Sequence, residues 1–205
     1  MSTIIDLSQI IEDSMPVYPG DDRTILQQSR SLAKDHYNDH RLTISMHAGT
    51  HLDGPMHLTE SGKYVSDINI ESFMGDGCLL DVRNQPVIGM KKEFLSLIPA
   101  RSIVLLFTAW DLYYGKSDYY ENHPVVDNEM CQLFIDKKIK LLGIDAPSPD
   151  LAPYSIHKML LQAGIYVVEN LTNLEKIPPN RKFEVIALPL KIKSNGSMAR
   201  VIARI

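Results

Sequence analysis

From Gly77 onward the chain alternates two hydrophobic rhythms. CLLDV, SIVLLFT, KLLGIDA and GIYVVEN are continuous apolar runs of buried-strand length. Between them, KKEFLSLI, DNEMCQLFIDKK and SIHKMLLQAG space their apolar residues along one face of a helix. Strand and helix in alternation predict parallel βαβ units. Ahead of Gly77 the signals are shorter: TIIDLS from Thr3 and RLTISMH from Arg41 alternate apolar positions or cluster β-branched residues, which predicts strands. The tail, KFEVIALPLKI then MARVIARI about Asn195-Gly196, predicts a hairpin. The expected class is α/β, a mixed β-sheet flanked by helices. No repeat or Pro/Gly/Ser-rich linker interrupts the pattern, so residues 1–205 read as a single domain.

Composition narrows the partners. Lys and Arg number 21 against 25 Asp and Glu, a net charge of −4, so no basic excess exists to gather phosphate backbone and nucleic acid is not an expected partner. MSTIIDLSQIIEDSMP meets an acid at Asp6 without a basic lead-in, unlike a signal peptide. The longest apolar run, near Ile103 to Phe107, falls far short of the roughly 20 residues of a membrane helix. Cys78 and Cys131 make no disulfide framework. The expectation is a cytoplasmic protein with reduced thiols and no membrane partner.

The chemistry concentrates between Ser45 and His57, in SMHAGTHLDGPMH, which holds three of the seven histidines. His47, His51, Asp53 and His57 share one strand face by parity, yet four residues of straight strand span roughly 13 Å, too far for donors that each sit about 2.0 to 2.2 Å from one ion. A helix would bring His47 and His51 together, but Gly49, Thr50 and Gly54-Pro55 oppose one. A bend or bulge at Gly49, folding His47 back toward His51 and Asp53, reconciles spacing with coordination. A lone histidine ordinarily carries no such meaning; four donors with a glycine at the required place do. Two imidazoles and a carboxylate leave an open position, the mark of a catalytic rather than a structural metal site.

The stretch also resembles the cyclase family of metal-dependent hydrolases, which includes bacterial kynurenine formamidases (arylformamidases) and isatin hydrolases. Its pattern HxGTHxDxPxH is met by His47, Gly49, Thr50, His51, Asp53, Pro55 and His57. PVYPGD from Pro16 to Asp21 resembles the family's substrate segment and GIDAPSPD from Gly143 to Asp150 its second signature, while His157 and Glu169 have the spacing of its distant histidine and glutamate. The resemblance implies a swivelling β/α/β-like fold and a homodimer or larger assembly. It also implies that His47 and His51 hold one divalent metal and His157 a second, that Asp53 and Glu169 bridge both, and that His57 is the general acid/base. A further metal-ligand role for His57 stays open. Glu169 ends an apolar run, where a carboxylate is costly to bury unless a cation or hydrogen bonds accept it, and the carboxyl end of a strand is where α/β sheets place sites. Asp145 has the same placement and either orients a ligand or caps a loop.

Two divalent ions against two carboxylates leave a positive centre that lowers the pKa of a bridging water and stabilises an oxyanion. The expected activity is amide hydrolysis of a small aryl formamide, N-formylkynurenine-like, or of a cyclic amide. A His/Asp/Glu set suits zinc, manganese, iron or cobalt, with zinc or manganese foremost. WDLYYGKSDYY, five aromatics in a polar stretch, reads as a long loop that either stacks a flat ring or packs at an interface. Tyr18 stands where kynurenine formamidases typically carry tryptophan and is the expected substrate-binding residue. The competing readings are a single-metal hydrolase or polyketide-type cyclase on the same scaffold, and a non-catalytic metal-binding protein.

Overall fold

The continuous apolar runs become the parallel strands of one sheet. A computed structural model describes residues 2–205. In chain order the strands are β1 (Ile4–Asp6), β2 (Ile25–Arg30), β3 (Asp39–Thr43), β4 (His51–Asp53), β5 (Met74–Asp81), β6 (Val87–Ile88), β7 (Ile103–Phe107), β8 (Val125–Val126), β9 (Leu141–Ile144), β10 (Tyr166–Glu169), β11 (Glu184–Pro189) and β12 (Gly196–Arg204). The helices are the single turns α1 (Leu32–Asp35) and α2 (Phe94–Leu97), and the longer α3 (Asn128–Lys137) and α4 (Ser155–Gln162).

Strands β5, β7, β9 and β10 pair in parallel, as the βαβ pattern predicts. The remaining pairings of the main sheet are antiparallel: β10 with β4, β5 with β11, β11 with β12, and β12 with β1. Strand β12 also pairs through Gly196–Met198 with β4, which closes the mixed sheet into a barrel. Alternation along the strands gives each face its own core. Leu52, Leu105, Val168, Val185 and Val201 fill the inside. Val104, Leu106, Leu142, Ile144 and Val167 face outward, under Met130, Cys131 and Phe134 of α3 and Ile156 and Leu160 of α4. Leu52 and Val168 therefore point inward, while His51, Asp53 and Glu169 take the helix-covered face.

Several local expectations need correction. KKEFLSLI yields only the four residues of α2: Phe94 and Ile98 are buried, Leu95 and Leu97 are exposed, and Ile98, ahead of Pro99, is already extended. RLTISMH is a strand only to Thr43, because the chain turns into the bend that presents His47. β3 joins β2 in an exposed two-stranded hairpin outside the barrel. The tail hairpin exists, but Asn195-Gly196 is not its tight turn, since the last β11 pair is Pro189 with Ala199 and Gly196 pairs with Asp53 instead. The aromatic stretch begins as a 3₁₀ turn, Trp110–Tyr113, rather than an open loop.

Candidate metal centre

Gly49 has φ +63, in the left-handed region that glycine adopts at no steric cost, and the chain doubles back there as the spacing requires. His47 Nδ1 lies 2.7 Å from Asp53 Oδ1, and His51 Nε2 lies 3.5 Å from the same oxygen. Across the antiparallel ladder Glu169 stands directly opposite His51, with its Oε2 3.3 Å from His51 Nε2. His157 enters from the first turn of α4, its Nε2 3.3 Å from Asp53 Oδ2 and 3.0 Å from Glu169 Oε1. Two donor trios result, His47–His51–Asp53 and Asp53–His157–Glu169, sharing the one carboxylate. Oδ1 of Asp53 faces the first trio and Oδ2 the second.

The outer contacts show which nitrogen of each ring is free. His51 Nδ1 lies 2.8 Å from the Gly49 carbonyl, which can only accept, so Nδ1 carries the proton and the lone pair sits on Nε2. His157 Nδ1 lies 2.5 Å from Asp150 Oδ1, while Asp150 Oδ2 accepts from the backbone N–H groups of Ile156 and His157. Asp150 thus caps α4 and aims its histidine, a pairing that metal-binding imidazoles commonly have. The residue ahead of the helix is Tyr154, at φ +59, and Ser155 is already helical.

This donor set fits a divalent cation. The buried Nε2 atoms of His47, His51 and His157 and Oε1 of Glu169 have no hydrogen-bond partner among the described residues. The Nε2 lone pairs of His51 and His157 therefore face carboxylate oxygens at close range, an arrangement that burial penalises unless positive charge lies between them. Protons serve in a cation's place: burial works to lower the His51 imidazole, but Asp53 and then Glu169 outweigh it and raise its pKa to about 10. His157 is also raised, burial again opposing and Asp150, Asp53 and Glu169 prevailing. Asp53 is held well below the usual range, its desolvation outweighed by the surrounding histidines.

A pH test follows for the metal-free protein. A raised folded pKa gives stabilisation that is complete below the ordinary histidine value of 6.5 and lost as pH rises through about 10. Metal-free protein should therefore lose melting temperature across that interval, and saturating divalent metal should remove the loss. Thermal melts with and without metal decide it; parallel curves would mean that protons and metal do not compete for one site.

The centre forms the floor of a pocket of about 240 Å³ whose walls include Tyr18, His57, Tyr120 and Tyr154. His57 belongs to neither trio; its half-buried ring stacks on His47 with centroids 4.0 Å apart. Desolvation lowers its pKa. Tyr18 meets Tyr120 edge to face at 5.5 Å, and its hydroxyl lies 3.3 Å from that of Tyr154. Of the aromatic stretch only Tyr120 reaches this pocket. Tyr119 is fully buried with its hydroxyl donating to Asn170 Oδ1 at 2.7 Å, and Trp110 Nε1 donates to the Tyr119 carbonyl. Asp145 takes the loop-capping role, accepting from the N–H groups of Thr108 and Ala109, and burial raises its pKa to about 7. Asp150, Tyr154 and Asn170 were not expected; Asp150 ends the GIDAPSPD stretch, the one sequence signal that pointed near it.

Residues 5–151 match the family model described as putative cyclase. The chain belongs to the cyclase family. The kynurenine formamidase of Bacillus cereus is 31% identical over 209 residues, covering 98% of this chain and 96% of its own. Among solved structures, isatin hydrolase A from Labrenzia aggregata, bound to benzyl benzoate, has a TM-score of 0.85 at 24% identity, covering 100% of this chain and 94% of its own. A structure described as a potential metal-dependent hydrolase with cyclase activity has a TM-score of 0.82 at 25% identity, covering 100% and 98%. The α/β barrel is thus the family's fold. No helix among the described residues is long and apolar enough to cross a membrane.

Proposed function

We propose that this chain is a metal-dependent amidohydrolase that cleaves the carbon–nitrogen bond of a small aryl formamide or a cyclic aryl amide. The observation that carries the reading is Asp53, shared by two donor trios on the floor of a pocket walled by tyrosines. In this reading His47 and His51 would hold one divalent ion and His157 a second, with Asp53 and Glu169 serving both; Asp53 belongs to both trios, and Glu169 of the second also comes within 3.3 Å of His51 Nε2. Bound there, divalent metal supplies Lewis acidity and hydroxide at neutral pH.

The chain's own residues supply the rest. Hydrolysis joins a water oxygen to the carbonyl carbon, breaks the C–N bond and requires a proton on the departing nitrogen. His57 lines the pocket, stands off both trios and is the group to carry that proton, since imidazole exchanges protons near neutral pH. The pocket volume, about 240 Å³, is below that of drug-sized sites and suits one small ring system. Tyr18, Tyr120 and Tyr154 offer the faces and edges against which it packs. Zinc or manganese as the metal, a cytoplasmic setting and a homodimer complete the proposal. The free, buried cysteines Cys78 and Cys131 support the setting, and Ile25 and Leu42, exposed on the β2–β3 hairpin, offer a surface to a second copy.

Turnover of formanilide and a cyclic aryl amide by metal-loaded protein tests the activity; an inert, tightly metal-bound protein would favour a binding role. The Tyr18 wall has its own test. Aromatic pairs add about 0.5 to 1.5 kcal/mol beyond area burial, so Tyr18→Ala should lower kcat/KM for an aryl formamide several-fold and spare a matched alkyl formamide. Tyr18→Trp should shift preference toward larger bicyclic or kynurenine-like substrates. Equal losses on the aryl and alkyl members would make Tyr18 a structural residue and withdraw the aromatic specificity.

A further inference from the structure

We infer that Asn195 is a positioning residue for His57, tethering the ring through Nδ1 so that Nε2 is the nitrogen that exchanges the proton with substrate. This rests on the proposed role of His57.

The tether starts from a clamped backbone. Asn195 lies in the connection between β11 and β12, and its carbonyl accepts from the N–H of Gly54, the residue after Asp53, at 2.8 Å. A Cβ at Gly54 would fall 2.9 Å from that carbonyl oxygen, so the glycine permits the close approach. One residue earlier the Ser194 carbonyl accepts from Val65 N–H at 2.9 Å, and one residue later Gly196 enters the ladder opposite Asp53. The Asn195 side chain is thereby fixed beside the motif from both sides, with Nδ2 3.4 Å from His57 Nδ1.

Ser194 completes the arrangement, its hydroxyl 3.2 Å from Asn195 Oδ1. A hydroxyl both donates and accepts, so it satisfies the far end of the amide whichever way the amide is turned. Exchange at Nε2 requires Nδ1 to stay protonated, because the ring then alternates between the Nδ1–H imidazole and the imidazolium; with the amide turned so that Oδ1 faces Nδ1, Oδ1 accepts that proton in both states while the Ser194 hydroxyl accepts from Nδ2. In either state Nδ1 is occupied and the ring is held against His47, where the stack fixes its plane at 29° to that imidazole. A proton-transfer base held by a third group is the general logic of such sites.

The test uses full-length, zinc-loaded protein with ¹⁵N-labelled histidine and three variants. Asn195→Leu, close in shape and unable to hydrogen-bond, should move the His57 Nδ1 resonance while leaving those of His51 and His157 in place. It should also lower kcat for an aryl formamide by about 10- to 100-fold, a part of the roughly 10²- to 10⁴-fold that a positioned acid/base contributes, with KM and metal content unchanged. Asn195→Asp, which keeps an acceptor, should restore most of kcat. His57→Ala assigns the resonance. An unmoved Nδ1 resonance in Asn195→Leu overturns the tether whether or not any amide is turned over, and so separates this inference from the proposed activity. A moved resonance with unchanged kcat overturns the functional part. Equal loss of metal in the Leu and Asp variants would assign Asn195 to the architecture of the loop instead.

Discussion

Asp53→Asn is expected to lose most of its bound metal and, with it, activity by about 10³-fold or more, since the Lewis acidity lost is worth several kcal/mol of transition-state stabilisation. The expectation follows from the two faces of one carboxylate. Oδ1 lies 2.7 Å from His47 Nδ1 and Oδ2 lies 3.3 Å from His157 Nε2, so a single substitution disables both donor trios. The amide of asparagine keeps the shape but removes the negative charge, and it presents a donor where the histidine lone pairs need a cation. Cys78→Ser is the matched control. Its thiol lies outside both trios, against the Leu97 carbonyl, and the variant should keep its full complement of metal. Metal analysis of both purified proteins, with circular dichroism to confirm folding, decides the matter. Full metal content in Asp53→Asn would remove the shared-carboxylate centre. Loss of one ion only would assign Asp53 to one trio and leave a single-metal hydrolase.

Why the centre was legible and its surroundings were not has a physical basis. His47, His51 and Asp53 lie within seven residues, so their convergence depends only on local backbone geometry, and Gly49 in a left-handed conformation is a local solution that the sequence displays. Glu169 was marked by the family resemblance, through its spacing from His157; the local signal, a carboxylate ending a buried strand, agreed with it but was shared by Asp145, which caps a loop instead. The apolar runs of β7, β9 and β10 were equally plain, because strands buried on both faces need no alternation. Closure of the barrel was not, since it depends on the pairing of Gly196–Met198 with β4 across more than half the chain. The same distance hid Asn195, whose partner is His57. Tyr154 and Tyr120 were obscured differently. Composition flags WDLYYGKSDYY as aromatic, but which ring faces substrate is settled by packing: Tyr119 is drawn inward by the Asn170 amide, leaving Tyr120 at the wall.

His57→Ala separates the holding of metal from the chemistry done beside it. The ring lies outside both donor trios, stacks on His47 at 4.0 Å and lines the pocket, so its removal vacates space without taking a ligand from the centre. A positioned acid/base group contributes roughly 10²- to 10⁴-fold. The variant should therefore lose kcat by a factor in that range while keeping its metal and its affinity for a substrate-like inhibitor. Leaving-group chemistry sharpens the expectation. The departing nitrogen of an unactivated anilide needs a proton and that of a strongly electron-poor anilide needs it less, so the loss should shrink as the ring becomes more electron-withdrawing. A series of ring-substituted formanilides, assayed with wild type and variant from preparations of known metal content, reads this directly. A loss that is constant across the series would place His57 in the activation of water rather than in protonation of the amine. Metal lost in step with activity would instead make His57 a ligand, and the proton for the leaving nitrogen would have to come from another group on the pocket wall, where the Tyr18–Tyr154 hydroxyl pair stands nearest to that task.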